Sequence, residues 1–170
     1  MTHRPIAALL LAAACSAGAS SALAQQSQNQ RSPDALQTYG PRLEGFTYPY
    51  PVQTHAFESQ RQALEMAFMD VAPRGAANGR TVVLLHGKNF CGATWAQTID
   101  VLAEAGYRVI AVDQVGFCKS SKPSAYQFSL AQLALNTMGL INRLGVEKPI
   151  IIGHSMGGYG TARIGMKHAD

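Results

Sequence analysis

The chain has 170 residues, 47% of them hydrophobic, with 14 lysines and arginines against 10 acids and a formal net charge of +4. That length holds one domain of ordinary size, and the cationic residues are scattered without a basic run, which argues against a nucleic-acid partner. Cys91 and Cys118 stand in neither a metal-ligand nor a Cys-x-x-Cys spacing, so the sequence implies no metal and no organic cofactor.

Residues 1–24 read as a secretory signal: Arg4 gives a basic start, Ile6 to Ala14 is apolar, and Ala22-Leu23-Ala24 is a cleavage site before Gln25. The apolar run is too short to span a bilayer, so the expectation is export to the periplasm or medium after cleavage between Ala24 and Gln25, without stable membrane insertion. The alternative is lipid attachment at Cys15, although Ala12 stands where that signal usually has leucine. Residues 25–51 are rich in Gln, Ser, Asn and Pro. They are expected to form an extended or disordered lead-in without chemistry.

From Val52 onward the elements alternate. Val52 to Phe57 is a weak strand candidate, and Leu64 to Val71 is a better one, with Leu64, Met66 and Phe68 on one face. Thr81 to Leu85 is a strong strand that empties into His86-Gly87-Lys88-Asn89-Phe90. A helix is expected from Thr94, which makes a capping box with Gln97, presents Trp95, Ile99 and Leu102 on one face, and stops at Gly106. Val109 to Val112 is the next strand, ending at Asp113 and followed by a long loop. Ser129 and Gln132 form a second capping box, for a helix whose Leu130, Leu133, Met138, Ile141 and Leu144 recur at helical steps before Gly145. Strand, helix, strand, helix, strand, helix predicts a doubly wound α/β fold with a mostly parallel sheet and ligands at the carboxyl ends of its strands.

The most informative stretch is Pro149 to Met166. Ile150 to Ile152 suit a strand buried on both faces, and the chain then runs through Gly153-His154-Ser155-Met156-Gly157 into a helix. This is the G-x-S-x-G pattern of a nucleophile elbow, in which a strained turn lifts a serine hydroxyl above the sheet. A serine so held crowds the positions two before and two after it, which explains Gly153 and Gly157. With the helix starting at the serine, the backbone N–H of Met156 points to where an oxyanion would form.

HGKNF after one strand, DQVGFCKSSKP after the next and GHSMGG after the third together resemble the N-terminal half of the α/β-hydrolase superfamily, in the branch with proline iminopeptidases, esterases, haloperoxidase-like and epoxide-hydrolase-like enzymes. The resemblance covers residues 52–170 and implies a serine hydrolase acting on a small-molecule ester, or second an amide. It makes Ser155 the nucleophile and gives the oxyanion hole the backbone N–H groups of Lys88 and Met156. It also makes His86 and Asp113 structural, and turns His154 away from the chemistry. A serine rather than a carboxylate at the elbow disfavours epoxide-hydrolase chemistry. In this fold the acid and the base histidine follow the serine in chain order, and His168 lies too far along the same helix to serve it.

The domain is therefore expected to be truncated after the nucleophile helix, with Ile150 to Ile152 as an apolar sheet edge and the 170-residue chain inactive alone. A competing reading is a non-enzymatic binding protein of the same fold. In the family's strand order Cys91 and Cys118 leave neighbouring strands and could pair in an oxidising compartment. The expectation taken is two separate thiols, because the sequence supplies no geometry for the pair.

Overall fold

Five strands form one mixed sheet in the order β1-β2-β4-β3-β5, in a computed structural model that describes residues 37–167. The expected signal segment, the Ala24/Gln25 cleavage site, Cys15 and His168 lie outside the described residues. β1 (Val52–Ser59) and β2 (Gln62–Val71) make an antiparallel hairpin in which Ser59 pairs Gln62. Its two-residue turn puts Gln60 and Arg61 at positive φ (51° and 60°), the handedness such hairpins require. The Gln60 side chain steadies the turn by exchanging two hydrogen bonds with the backbone of Gln127.

β3 (Thr81–Leu85), β4 (Arg108–Val112) and β5 (Ile150–Gly153) are parallel, with β3 between the other two. β2 joins the far side of β4 antiparallel, and Asp70 holds Arg108 there through two charged hydrogen bonds of 2.9 and 2.7 Å.

Alternating residues of each inner strand feed two apolar layers. Leu64, Met66, Phe68, Val83, Leu85, Ile110 and Val112 pack on one side with Leu140, Ile141 and Ile164. Met69, Val71, Val82, Leu84, Val109 and Ala111 pack on the other with Ile99 and Ala103. So α1 (Ala96–Glu104) covers one face, while α2 (Leu130–Arg143) and α3 (Met156–Lys167) cover the other. This is the doubly wound α/β arrangement, and β5 is its edge, with Ile152 38% exposed.

Three local expectations are corrected. The Thr94–Gln97 capping box does not form: residues Gly92–Trp95 make a turn of 3-10 helix first, Trp95 caps α1 without a side-chain bond, and Thr94 Oγ1 donates to the Cys91 carbonyl instead. Ser129 does cap α2, accepting from the Gln132 N–H at 3.0 Å. The Gln132 amide, however, reaches Ser59 and Asn136 rather than closing the box. Leu130 is exposed on α2 and Leu140 is buried in its place, because the helix starts beside a cleft and not over the sheet.

The largest correction concerns the cysteines. Cys91 and Cys118 are joined in a disulfide across 27 residues, not separate thiols. Each lies a few residues beyond the end of a parallel strand, and β3 and β4 are direct neighbours in register, so the sheet itself brings the two loops together. Closing such a loop is worth about 3.5 kcal/mol in the chain-entropy account.

The described part of the lead-in has no helix or strand, yet it is held against the domain. Tyr48 donates to Asp113 at 2.5 Å, Arg42 pairs with Glu65 at 2.6 Å, and Tyr50 bonds Asp100. Tyr48 and Tyr50 also pack on the α1-side layer. Burial, and then the bond to Asp113, raise the Tyr48 hydroxyl pKa far above its ordinary value, so it acts as a fixed donor. Among the described residues no helix is long and apolar enough to cross a membrane.

Candidate active site

β5 ends at Gly153 and α3 starts at Met156, leaving His154 and Ser155 in the connecting turn. Ser155 has φ +53°, a left-handed conformation that costs a serine about 1–2 kcal/mol. The surroundings enforce it. A Cβ at Gly153 would fall on the backbone of Gly157, and one at Gly157 would fall on the carbonyl of Leu85. Strand and helix thus cross at the closest approach the backbone permits. The His154 N–H donates to Leu85 O at 3.1 Å and the Gly157 N–H to His154 O at 2.8 Å, which fixes the turn on the end of β3. The Ser155 side chain is left exposed.

The loop after β3 lies against this turn. A Cβ on Gly87 would stand 2.7 Å from His154 Nδ1 and 3.2 Å from Ser155 Cβ, so a side chain here would displace the His154 ring and press on Ser155. The loop is a single turn closed by Phe90 N–H to Gly87 O at 3.1 Å, with Asn89 at φ +67°. His154 packs edge to face on Phe90, ring centroids 5.7 Å apart. Its ring thus serves as a spacer between elbow and loop. The Lys88 and Met156 N–H groups find no backbone acceptor among the described residues. Lys88 and Met156 also line a cleft of about 390 Å³ whose walls are mostly apolar, from Phe117, Phe128, Leu130 and Leu133.

His86 is buried and both its nitrogens are engaged. Nε2 accepts from the Gln114 N–H at 3.0 Å, so Nδ1 carries the proton and donates to Gly87 O at 2.8 Å. It ties the loop to the exit of β4 and has no free lone pair with which to act as a base. Burial holds its pKa below the ordinary histidine value, outweighing the Gly87 bond and the charge of Asp113. An unfolded chain binds a proton at His86 below about pH 6.5 that the folded chain refuses, so stability is full above that pH and falls as pH drops through it toward the lower folded value. Urea unfolding at pH 7.5 and 5.5 should show the loss, by up to about 1.4 kcal/mol per pH unit, and His86→Gln should flatten it. Half-buried His55 is shifted the same way and should account for what slope remains.

Asp113 is equally committed to structure. Its Oδ1 accepts from Gly92 N–H at 2.7 Å, and its Oδ2 from Lys119 N–H at 3.0 Å and from the Tyr48 hydroxyl. Asp113 and the two sulfurs lie within 4.8 Å of one another, but bonded sulfurs offer no thiolate to a cation. This cluster is a knot joining three loops. Among the described residues, Ser155 Oγ makes no hydrogen bond to any histidine or carboxylate.

Of the residues singled out in the sequence, Lys88, Gly153, His154, Ser155, Met156 and Gly157 come together at the carboxyl ends of β3 and β5. Gly87 and the disulfide were missed as parts of the site. The glycine shares its motif with Lys88, and the sign of the bridge, one cysteine in each of two neighbouring strand-exit loops, is legible without the distance between them.

A profile described as the alpha/beta hydrolase fold matches residues 80–170. Among solved structures, a probable hydrolytic enzyme from Pseudomonas aeruginosa is 62% identical with a TM-score of 0.75, over 78% of this chain and 42% of that one. Epoxide hydrolase A of Mycobacterium tuberculosis is 33% identical over 59% of this chain and 31% of its own. The AB hydrolase superfamily protein YfhM of Bacillus subtilis is 41% identical over 53% and 32%. The chain thus spans about a third of the length of these two curated relatives.

Proposed function

We propose that this chain, which belongs to the alpha/beta hydrolase fold family, carries the nucleophile and oxyanion hole of an exported serine hydrolase that acts on carboxylic esters. The observation that carries the reading is Ser155: exposed, at φ +53°, between two glycines that tolerate no side chain, and directly before the free N–H of Met156. Gln60 and Arg61 share this handedness in a hairpin turn, but at Ser155 it is enforced by backbone packing at the carboxyl end of a parallel strand, which supports a functional reading.

In the proposed mechanism Ser155 Oγ attacks the ester carbonyl while a base takes its proton. The backbone N–H groups of Lys88 and Met156 receive the developing oxyanion. Collapse expels the alcohol and leaves an acyl-enzyme that water hydrolyses. His86 has no free nitrogen and no described histidine or carboxylate bonds Ser155 Oγ, so the base and its acid are proposed to lie outside the described residues and the 170-residue chain alone to be inactive. Amides are the second substrate class. The cleft is mostly apolar with Lys88 at its rim, which suits a small ester with an apolar body.

The mycobacterial relative is an epoxide hydrolase, and a serine at residue 155 argues against epoxides as substrates of this chain. A carboxylate that opens an epoxide forms an ester, which water can cleave. A serine would form an ether, which it cannot, and the enzyme would stop after one turn. An acyl group on serine avoids this end. Export is supported by the bridge between Cys91 and Cys118, since disulfides persist in oxidising compartments.

The test uses the complete protein with p-nitrophenyl acetate, styrene oxide and a fluorophosphonate probe. Ester turnover with the probe mapped to Ser155 is expected. Epoxide turnover, or a labelled residue other than Ser155, would refute the reading.

A further inference from the structure

We infer that the Cys91–Cys118 bridge positions the Lys88 N–H of the oxyanion hole, so that its reduction by a dithiol switches turnover down while the fold persists. The inference rests on the serine-hydrolase reading.

Between Gly87 and Cys91 the chain makes one hydrogen-bonded turn, and Lys88, Asn89 and Phe90 are all exposed. At its near end the loop is anchored by His86, through Gln114, to the exit of β4. At its far end it is anchored by the disulfide to Cys118 and by Gly92 N–H to Asp113. Both anchors therefore stand on the same loop, residues 113–118. Asp113 fixes that base in turn, through Lys119 N–H and Tyr48. The loop is a short strap over a rigid plate, and the bridge is its only covalent tie.

An oxyanion donor contributes only if it is held within a few tenths of an ångström of the developing charge. Reduction breaks the S–S bond, takes up two electrons and two protons, and leaves two thiols while the dithiol becomes a disulfide. The Gly92–Asp113 bond, the His86–Gln114 bond and the packing of Phe90 on His154 remain, so what is freed to shift is the short segment from Lys88 to Cys91 between them. Both half-cystines are partly exposed, which gives the reductant access.

The expected result is a fall in kcat of about ten- to a hundredfold, approaching the loss of one oxyanion donor, with KM changed less than about twofold. Reoxidation should restore it. The measurement is steady-state p-nitrophenyl acetate hydrolysis by the complete protein before and after dithiothreitol, with thiols counted and near-UV circular dichroism recorded on the same samples. The Cys91→Ser, Cys118→Ser double variant should show the lowered kcat permanently and ignore dithiothreitol. The rate of fluorophosphonate labelling should fall with kcat, because the probe also passes through the oxyanion hole. If two thiols appear, the dichroism is native and kcat does not move, the bridge is only a staple and the inference is overturned. If the oxidised protein neither hydrolyses esters nor takes the probe, the serine-hydrolase reading fails instead.

Discussion

Replacing Ser155 by alanine in the complete protein should abolish fluorophosphonate labelling and lower ester turnover by about four to six orders of magnitude, the range seen when a triad nucleophile is removed. What remains should be the slow reaction of water under the oxyanion hole. The same position gives a second readout that a merely structural serine would not. Ser155 is held at φ +53°, so Ser155→Gly should relieve backbone strain and raise stability by about 1 kcal/mol while removing activity as completely as alanine does. A gain in stability bought by a loss of function is the sign of strain kept for chemistry. Labelling that persists in Ser155→Ala would remove the nucleophile assignment.

How far the sequence could be read depended on whether a feature was local. The strands β3, β4 and β5 were legible because unbroken Val, Ile and Leu runs between loops have few other uses. The elbow was legible because its steric demand is written into five consecutive residues. Ser129 was legible as a cap for the same reason. The features that escaped are those in which distant segments meet. Thr94 looks like a cap in isolation, but the disulfide draws Cys91 toward β4, and the chain enters α1 through a 3-10 turn that spends the threonine on the Cys91 carbonyl. Tyr48 carries no sign that it will reach Asp113, 65 residues later. Gly87 is a glycine like any other until β5 places Ser155 beside it. The resemblance supplies the strand order that makes the pairing of Cys91 with Cys118 possible, but not the approach of their two loops, which brings the Cα atoms to 5.7 Å.

The glycines of the elbow allow the steric part of this reading to be measured apart from the chemistry. Gly157→Ala puts a methyl group on the backbone carbonyl of Leu85 and 2.9 Å from the carbonyl oxygen of His86. Neither is the far end of a flexible side chain. They are the end of β3 and the start of the oxyanion loop, so either α3 lifts away, carrying Met156 with it, or the strand end moves. Gly153→Ala drives a methyl into the Gly157 backbone from the other side. Each should cost about 3 kcal/mol or more, the upper end of what overpacking against a rigid neighbour costs. Further along the same helix the outcome should reverse. A Cβ on Gly160 meets only a methyl of Leu85 at 3.5 Å, and one on Gly165 meets nothing within 4 Å. Alanine at either site should therefore stabilise by about 0.5–1 kcal/mol through helix propensity alone. Urea unfolding of the four variants of the complete protein separates the two behaviours. A wild-type midpoint for Gly157→Ala would mean that β3 and α3 do not cross at the distance which holds Ser155 in its strained turn, and the geometric basis for the nucleophile would go with it.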